Sequence, residues 1–265
     1  MLYLYKRTLT GNGITSSISL RLSALGSRHV GWLLNEERGG VIFDTPARVR
    51  SAEPSRRHAK SASRCPAILG LESRYFEVKY PFDLHLAFAR DKEGKPGLRN
   101  RLGTRTPVRP TKIASLVHVA NEAEWRHPRR PTIQLSLPYV FVADEPVYLS
   151  QVAPFMHYRD EPWPGTIFGG RFPIDIWPRP LMWAFEWHDT ERERKLARSE
   201  PLFYCQFETA PQDRPVRLIE AERTAELSRY LEYISGVVNF VNQSFSLFRT
   251  AEERRPKTPV VPEKR

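Results

Sequence analysis

The fold class is decided by the stretch "PRPLMWAFEWHD", residues 178–189, in which large apolar side chains alternate with smaller or polar ones. Successive side chains of an extended chain point to opposite faces. One face then carries Leu181, Trp183, Phe185 and Trp187. Because such a wall of large apolar groups has to be covered, we predict a core strand with its aromatic face hidden. Glu186 and His188 stand together on the other face.

The same period-two alternation recurs along much of the chain. The further segments are 17–22, 74–80, 83–88, 132–137, 139–143, 146–149, 202–207 and 215–219. Half-buried antiparallel strands have this pattern, and no helical segments separate them as βαβ units require. The sequence therefore predicts a mainly β (α+β) protein, an antiparallel β-sandwich or jelly-roll-like domain.

The C-terminal third changes to a helical period. From Leu227 to Phe248, apolar residues recur in alternating steps of four and three, and Thr224 precedes them as a candidate N-cap. Gly236 weakens a helix by about 1 kcal/mol relative to alanine, so a helix pair is the alternative to one long helix. We expect this segment to pack on the sheet, with self-association or a protein partner along Leu227–Phe248 as the alternative.

These patterns divide the chain into four predicted regions. They are a basic N-terminal segment, partly strand (1–66), the β-sandwich (67–220), the helical segment (221–252) and an extended, Pro-rich tail (253–265). Two cysteines do not make a disulfide framework, which favours a reducing cytoplasm. The sequence contains no run of 18 apolar residues, so no membrane helix is predicted. The first residues do not resemble a secretory signal.

Basic side chains are concentrated in two stretches, 47–64 and 89–110, in a chain of formal net charge +11. Both lack a regular period and are expected to be loops. Their candidate polyanion-binding residues are Arg48, Arg50, Arg56, Arg57, Lys60, Arg64, Arg99, Arg101 and Arg105. Neither stretch contains Phe, Tyr or Trp, so we expect contacts with the phosphate backbone rather than base stacking. Solvated loops or an acidic protein partner are the alternatives.

Glu186 and His188 are also the candidate chemical pair, because side chains two apart on a strand stand side by side. His157 in the nearby "FMHYRDEP" is the third candidate for a metal or acid–base site. The spacing matches no established metal signature. We therefore predict neither a catalytic residue nor a metal or cofactor, and a hydrogen-bonded polar pair near a sheet edge is the alternative interpretation.

Four blocks of sequence carry a family resemblance. They are "DTPARVRSAEPSRRHAKSASRCPAI" (44–68), "RPTIQLSLPYVFVADEPVYLSQ" (130–151), "FGGRFPIDIWPRPLMWAFEWHD" (168–189) and "SGVVNFVNQSFSLF" (235–248). Together they resemble an uncharacterised family of proteins encoded by tailed bacteriophages and prophages. The resemblance implies a phage context, with a location in the cytoplasm of the bacterial host or in the virion. It implies no catalytic residue.

Three functions remain open at this point. The first is a non-enzymatic binding or assembly protein of a phage. The second is a nucleic-acid phosphate-backbone binder acting through the basic stretches. The third is a metal-dependent enzyme on a jelly-roll scaffold, and the sequence favours the first over the other two.

Overall fold

Fifteen strands and four α-helices occur in the portion of the chain that the structure describes. A computed structural model describes residues 26–35, 41–50, 64–106, 108–157, 163–210, 214–235 and 244–263. The strands are β1 (Arg28–Leu34), β2 (Ala47–Arg48), β3 (Tyr75–Lys79), β4 (Leu84–Arg90), β5 (Pro96–Asn100), β6 (Val117–Val119), β7 (Thr132–Ser136), β8 (Tyr139–Ala143), β9 (Val147–Val152), β10 (Gly165–Ile167), β11 (Gly170–Pro173), β12 (Met182–Trp187), β13 (Arg194–Leu196), β14 (Pro201–Thr209) and β15 (Val216–Glu220).

The helices are short. They are α1 (Pro66–Glu72), α2 (Pro110–Leu116), α3 (Ala225–Ser235) and α4 (Ser244–Arg254). α1 and α2 each begin at a proline, which fits the first helical turn because the N–H it lacks has no partner there. None of the described helices has the length and apolar character needed to cross a bilayer.

The strands form four sheets, so the predicted mainly β class is confirmed. The strand orders are β15-β1-β8, β10-β12-β7-β6, β11-β9-β14-β3-β2 and β13-β4-β5. Among the described strands, every pairing is antiparallel except that of β1 with β15, which is parallel. β1 was not predicted from the sequence, because four consecutive residues within it are buried and period-two alternation is lost.

β12 confirms the prediction made from residues 178–189. Trp183 is 1% exposed and Trp187 0% exposed, and β12 lies inside its sheet between β10 and β7. Of the other predicted strands, 17–22 lies outside the described residues. The remaining seven segments match β3, β4, β7, β8, β9, β14 and β15 to within two or three residues at either end.

The four sheets share one hydrophobic core. It contains Trp32 of β1, Phe76 of β3, Leu86 of β4 and Trp183 of β12. β1 lies within the predicted basic N-terminal segment (1–66), so the described part of this segment supplies a strand to the core. The predicted limits of the four regions remain predictions.

The basic stretch 89–110 differs from its prediction as a loop. It contains the end of β4, all of β5 and the start of α2, and β4 and β5 form an antiparallel hairpin. The alternation is obscured because Ala89 and Gly97 face each other on one side of this hairpin. Of the other basic stretch, residues 51–63 lie outside the described ranges.

α3 packs on a sheet, as predicted. Leu227 and Ile234 are buried against Leu33 and Val140 of the sheet that contains β1 and β8. Thr224 caps the helix, because its Oγ1 accepts a hydrogen bond from the Leu227 N–H at 3.1 Å. One long helix is not shown; α3 and α4 are separate in the described residues, and 236–243 lie outside them.

The chain after α4 runs along the protein. Arg255 donates hydrogen bonds to the carbonyl oxygens of Ala143 and Asp144, and the Val260 N–H donates to Asp144 Oδ1 at 3.0 Å. Glu263 N donates to the carbonyl of Glu220 at 3.0 Å, next to an isolated bridge between Ala221 and Pro262. The predicted extended tail is thus docked on the ends of β8 and β15.

Candidate functional site

Glu186 and His188 do stand together, at the end of β12. The Glu186 side chain is 6% exposed, and its Oε1 lies 2.9 Å from His188 Nε2 and 3.5 Å from an Arg130 guanidinium nitrogen. The same His188 nitrogen lies 3.3 Å from Thr166 Oγ1 on β10. A buried carboxylate needs such partners, so the hydrogen-bonded polar pair describes this cluster well. β12 is nevertheless an interior strand and not a sheet edge.

His157 belongs to a different cluster. Its Nε2 lies 3.7 Å from Glu200 Oε1, and Arg194 approaches the same oxygen at 3.5 Å. Within the described residues, no three His, Cys, Asp or Glu side chains are grouped so that they could hold a metal ion. The structure therefore brings Glu186 and His188 together and places His157 with Glu200.

Two of the predicted polyanion-binding arginines already have strong partners. Arg48 donates to the carbonyl oxygens of Ser73 and Val216, its guanidinium lies 4.8 Å from the centre of the Phe76 ring, and burial lowers the pKa of Arg48. Arg101 Nε donates to Glu193 Oε1 at 2.8 Å. Arg48 is thus a structural residue that joins the β2–β3 region to β15.

The other candidates fall into two groups. Arg50, Arg64, Arg99 and Arg105 are exposed and make no ion pair with the residues that the structure describes. Arg56, Arg57 and Lys60 lie outside the described residues.

Two of the predicted arginines belong to one surface, the outer side of the sheet β13-β4-β5. Lys195 is paired with His85, and Ala87 with Arg99. Paired residues of antiparallel strands lie on the same face. The N–H of Arg101 donates to the carbonyl of His85 at 2.7 Å, which continues this row beyond β5. We call the surface formed by His85, Arg99, Arg101 and Lys195 the basic sheet face.

One carboxylate, that of Glu193, pairs with the basic sheet face among the described residues. Glu193 Oε2 lies 2.7 Å from His85 Nε2, and Glu193 Oε1 accepts from Arg101. Arg99, Arg101 and Lys195 therefore carry three positive charges against one negative charge. Ala87, the partner of Arg99, is buried, and the pair of Ala89 and Gly97 lies beyond Arg99 on the side away from His85.

Sequence reasoning missed half of this face. Lys195 lies in "ERERKLAR" (191–198), a segment in which charges of both signs alternate and no partner is indicated. His85 lies in the segment 83–88, which was predicted only as a strand. Their juxtaposition depends on the pairing of β13 with β4, which joins residues 110 positions apart in the chain. No local pattern reports such a pairing.

Comparisons with known proteins add no assignment: no protein-family model, no curated protein and no solved structure matches this chain.

Proposed function

We propose that this protein is a non-enzymatic binding protein that docks on the phosphate backbone of a nucleic acid through the basic sheet face. The observation that carries the proposal is the group of Lys195, His85, Arg99 and Arg101 on one side of three strands, with which Glu193 alone forms ion pairs among the described residues. Lysine and arginine side chains on one face release the counterions of a polyanion when they neutralise its phosphates.

Three features of the face favour backbone contact over base recognition. Three of its four residues lie on the paired strands β13, β4 and β5 rather than on a loop, Arg99 is paired with an alanine, and the four residues include no aromatic side chain other than the imidazole of His85. Phe88 and Leu98 of the same hairpin are paired and pack toward the core instead. Contacts of this kind fix position on the nucleic acid without reading its sequence.

The wider context belongs to the same proposal. The resemblance to tailed-phage proteins supports a role in phage assembly or genome handling, in the host cytoplasm or the virion. For the fold we propose a sandwich arrangement, because strands of the β15-β1-β8 and β11-β9-β14-β3-β2 sheets share one core through contacts such as Phe141 with Phe207, whose ring centroids are 5.3 Å apart.

The test is the salt dependence of binding to a fluorescent duplex DNA of arbitrary sequence, followed by anisotropy. Because Arg101 is paired with Glu193, two phosphate contacts, from Arg99 and Lys195, give a slope of log K against log salt of about −1.8, which is a loss of roughly 12-fold between 50 and 200 mM salt. The face variant combines Arg99→Ala, Arg101→Ala and Lys195→Ala, and its slope should be smaller by about 1.8.

A matched control removes the same charge elsewhere. Arg129, Arg217 and Lys257 are exposed and lie off the basic sheet face, so the corresponding triple alanine variant should keep the slope within about 0.5 of the original. An equal decrease of the slope in both triple variants would mean that only the net charge of the protein matters, and not the position of the charges. The proposal would be overturned by that result, by binding that does not depend on salt, or by the absence of binding at 50 mM salt.

A further inference from the structure

A second surface feature lies away from the basic sheet face, where the chain crosses from one sheet to another. β10 belongs to the sheet of β12, and β11 to the sheet of β9, so Phe168 and Gly169 link the two sheets. Gln151 Nε2 donates to the Met182 carbonyl at 3.1 Å and joins the same two sheets. A cavity of about 230 Å³ opens at this crossing.

Arg179 lines this cavity and is half-buried. Its guanidinium lies 4.9 Å from the centre of the Trp177 ring, and one of its nitrogens is 3.6 Å from the Met182 sulfur. No carboxylate contacts it among the described residues. Neighbouring Arg171, by contrast, is held by both oxygens of Glu208 at 3.0–3.3 Å.

A partly desolvated cation without an acidic partner is costly unless an anion reaches it. Burial also lowers the pKa of Arg179, which reports the same loss of solvation. Thioethers are weak acceptors, so the Met182 sulfur does not replace a carboxylate. The Trp177 ring contacts the guanidinium by a cation–π interaction, which does not neutralise its charge.

The other residues that line the cavity indicate the chemical character of the rest of the ligand. Phe168, Phe172 and Met182 are apolar, and Gln151 is the only neutral polar side chain among the lining residues. The floor is close-packed at Gly169, where an added Cβ would lie 3.0 Å from the Gln151 carbonyl oxygen, whereas Gly170 faces open space. An apolar protein cavity of about 150 Å³ is large enough to bind benzene, so this cavity has room for a ligand with one aromatic ring.

We propose that this cavity binds a small carboxylate with a flat apolar body, its carboxylate paired with the guanidinium of Arg179 and its body between Phe168, Phe172 and Met182. Arginine suits this role because its planar fork matches a carboxylate with two parallel hydrogen bonds. The site is independent of the basic sheet face and does not require nucleic-acid binding.

Benzoate is the probe, with benzamide as its uncharged counterpart of the same shape. Saturation-transfer NMR and isothermal titration on the full chain should give a benzoate Kd of about 1 mM, a typical value for so few atoms. Benzamide should bind at least tenfold more weakly. Phenyl phosphate tests the other common anion; if it binds tenfold more tightly than benzoate, the carboxylate assignment is wrong.

Two variants test separately the contribution of the Arg179 charge and that of the cavity volume. Arg179→Gln should weaken benzoate binding at least tenfold, and Gly170→Val, which adds a side chain at a lining residue, should also weaken it while Arg179 is kept. The matched control Arg129→Gln removes an exposed arginine elsewhere and should leave the Kd unchanged. Circular dichroism checks that each variant is folded. Equal binding of benzoate and benzamide, unchanged binding by folded Arg179→Gln, or no saturation up to 50 mM benzoate would each overturn the proposal.

Discussion

Gly165 is the first residue of β10, and we expect its replacement by alanine to detach that strand. The residue is paired with Trp187 in β12. A Cβ at this position would overlap the carbonyl oxygen of Glu186, and it would lie 2.9 Å from the Glu186 carbonyl carbon and 3.1 Å from the Trp187 Cα. All three atoms belong to the backbone of an interior strand, so no change of rotamer can relieve the overlap.

The size of the effect follows from the contacts that must be given up. Carbon and carbonyl oxygen approach each other to about 3.3–3.6 Å, so β10 has to move by more than roughly 1 Å. β10 is paired with β12 at three positions. Losing the hydrogen bonds between them at about 1 kcal/mol each, together with some strain, lowers the free energy of unfolding by about 2–4 kcal/mol.

Urea unfolding followed by tryptophan fluorescence measures this free energy. The matched control is Gly170→Ala, because an added Cβ there meets no atom within 4 Å. Both variants restrict the unfolded chain equally, so Gly170→Ala should be neutral or stabilising by up to about 1 kcal/mol. If Gly165→Ala stays within about 0.5 kcal/mol of the original protein at an unchanged m value, the packing of β10 against β12 described above is wrong.

Three further predictions concern the helix cap, a buried acid and the thiols. Thr224→Ala should lower the free energy of unfolding by about 0.5–2 kcal/mol, since the hydrogen bond to Leu227 N is lost; Thr224→Ser should retain most of it, and equal loss in both variants would contradict a capping role. Burial raises the pKa of Asp175 above its usual value, so its protonated form is favoured in the folded state and its contribution to stability declines as pH rises from about 4 through the folded pKa. Asp175→Asn should therefore be relatively more stable than the original protein at pH 7 than at pH 4 in urea titrations, and a difference independent of pH would count against this. Cys65 is exposed, whereas Cys205 is buried, and burial raises the pKa of the Cys205 thiol. Ellman's reagent should therefore modify one thiol in the native protein and two in urea. Rapid reaction of both thiols in the native protein would refute the packing of β14.

The candidate site shows most clearly where prediction from sequence stops. Arg99 and Arg101 were recognised from the density of charge in 89–110, but the same density also selected Arg48, whose guanidinium is engaged with two carbonyl oxygens and the Phe76 ring. A basic residue in sequence carries no mark of whether its donors are used internally. Only the position of Arg48 between β3 and β15 decides that.

The amino-acid sequence by itself determined the strand character of β12 and of most of its neighbours, and the cap and apolar stripe of α3. Those features depend on side-chain alternation and on hydrogen bonds within a few residues, which are local. The tertiary structure alone decided the parallel pairing of β1 with β15, the meeting of His85 with Lys195 and the isolation of Arg179 from any described carboxylate. Each of these depends on which distant segments come into contact, and that is set by the burial of a shared core rather than by any local pattern.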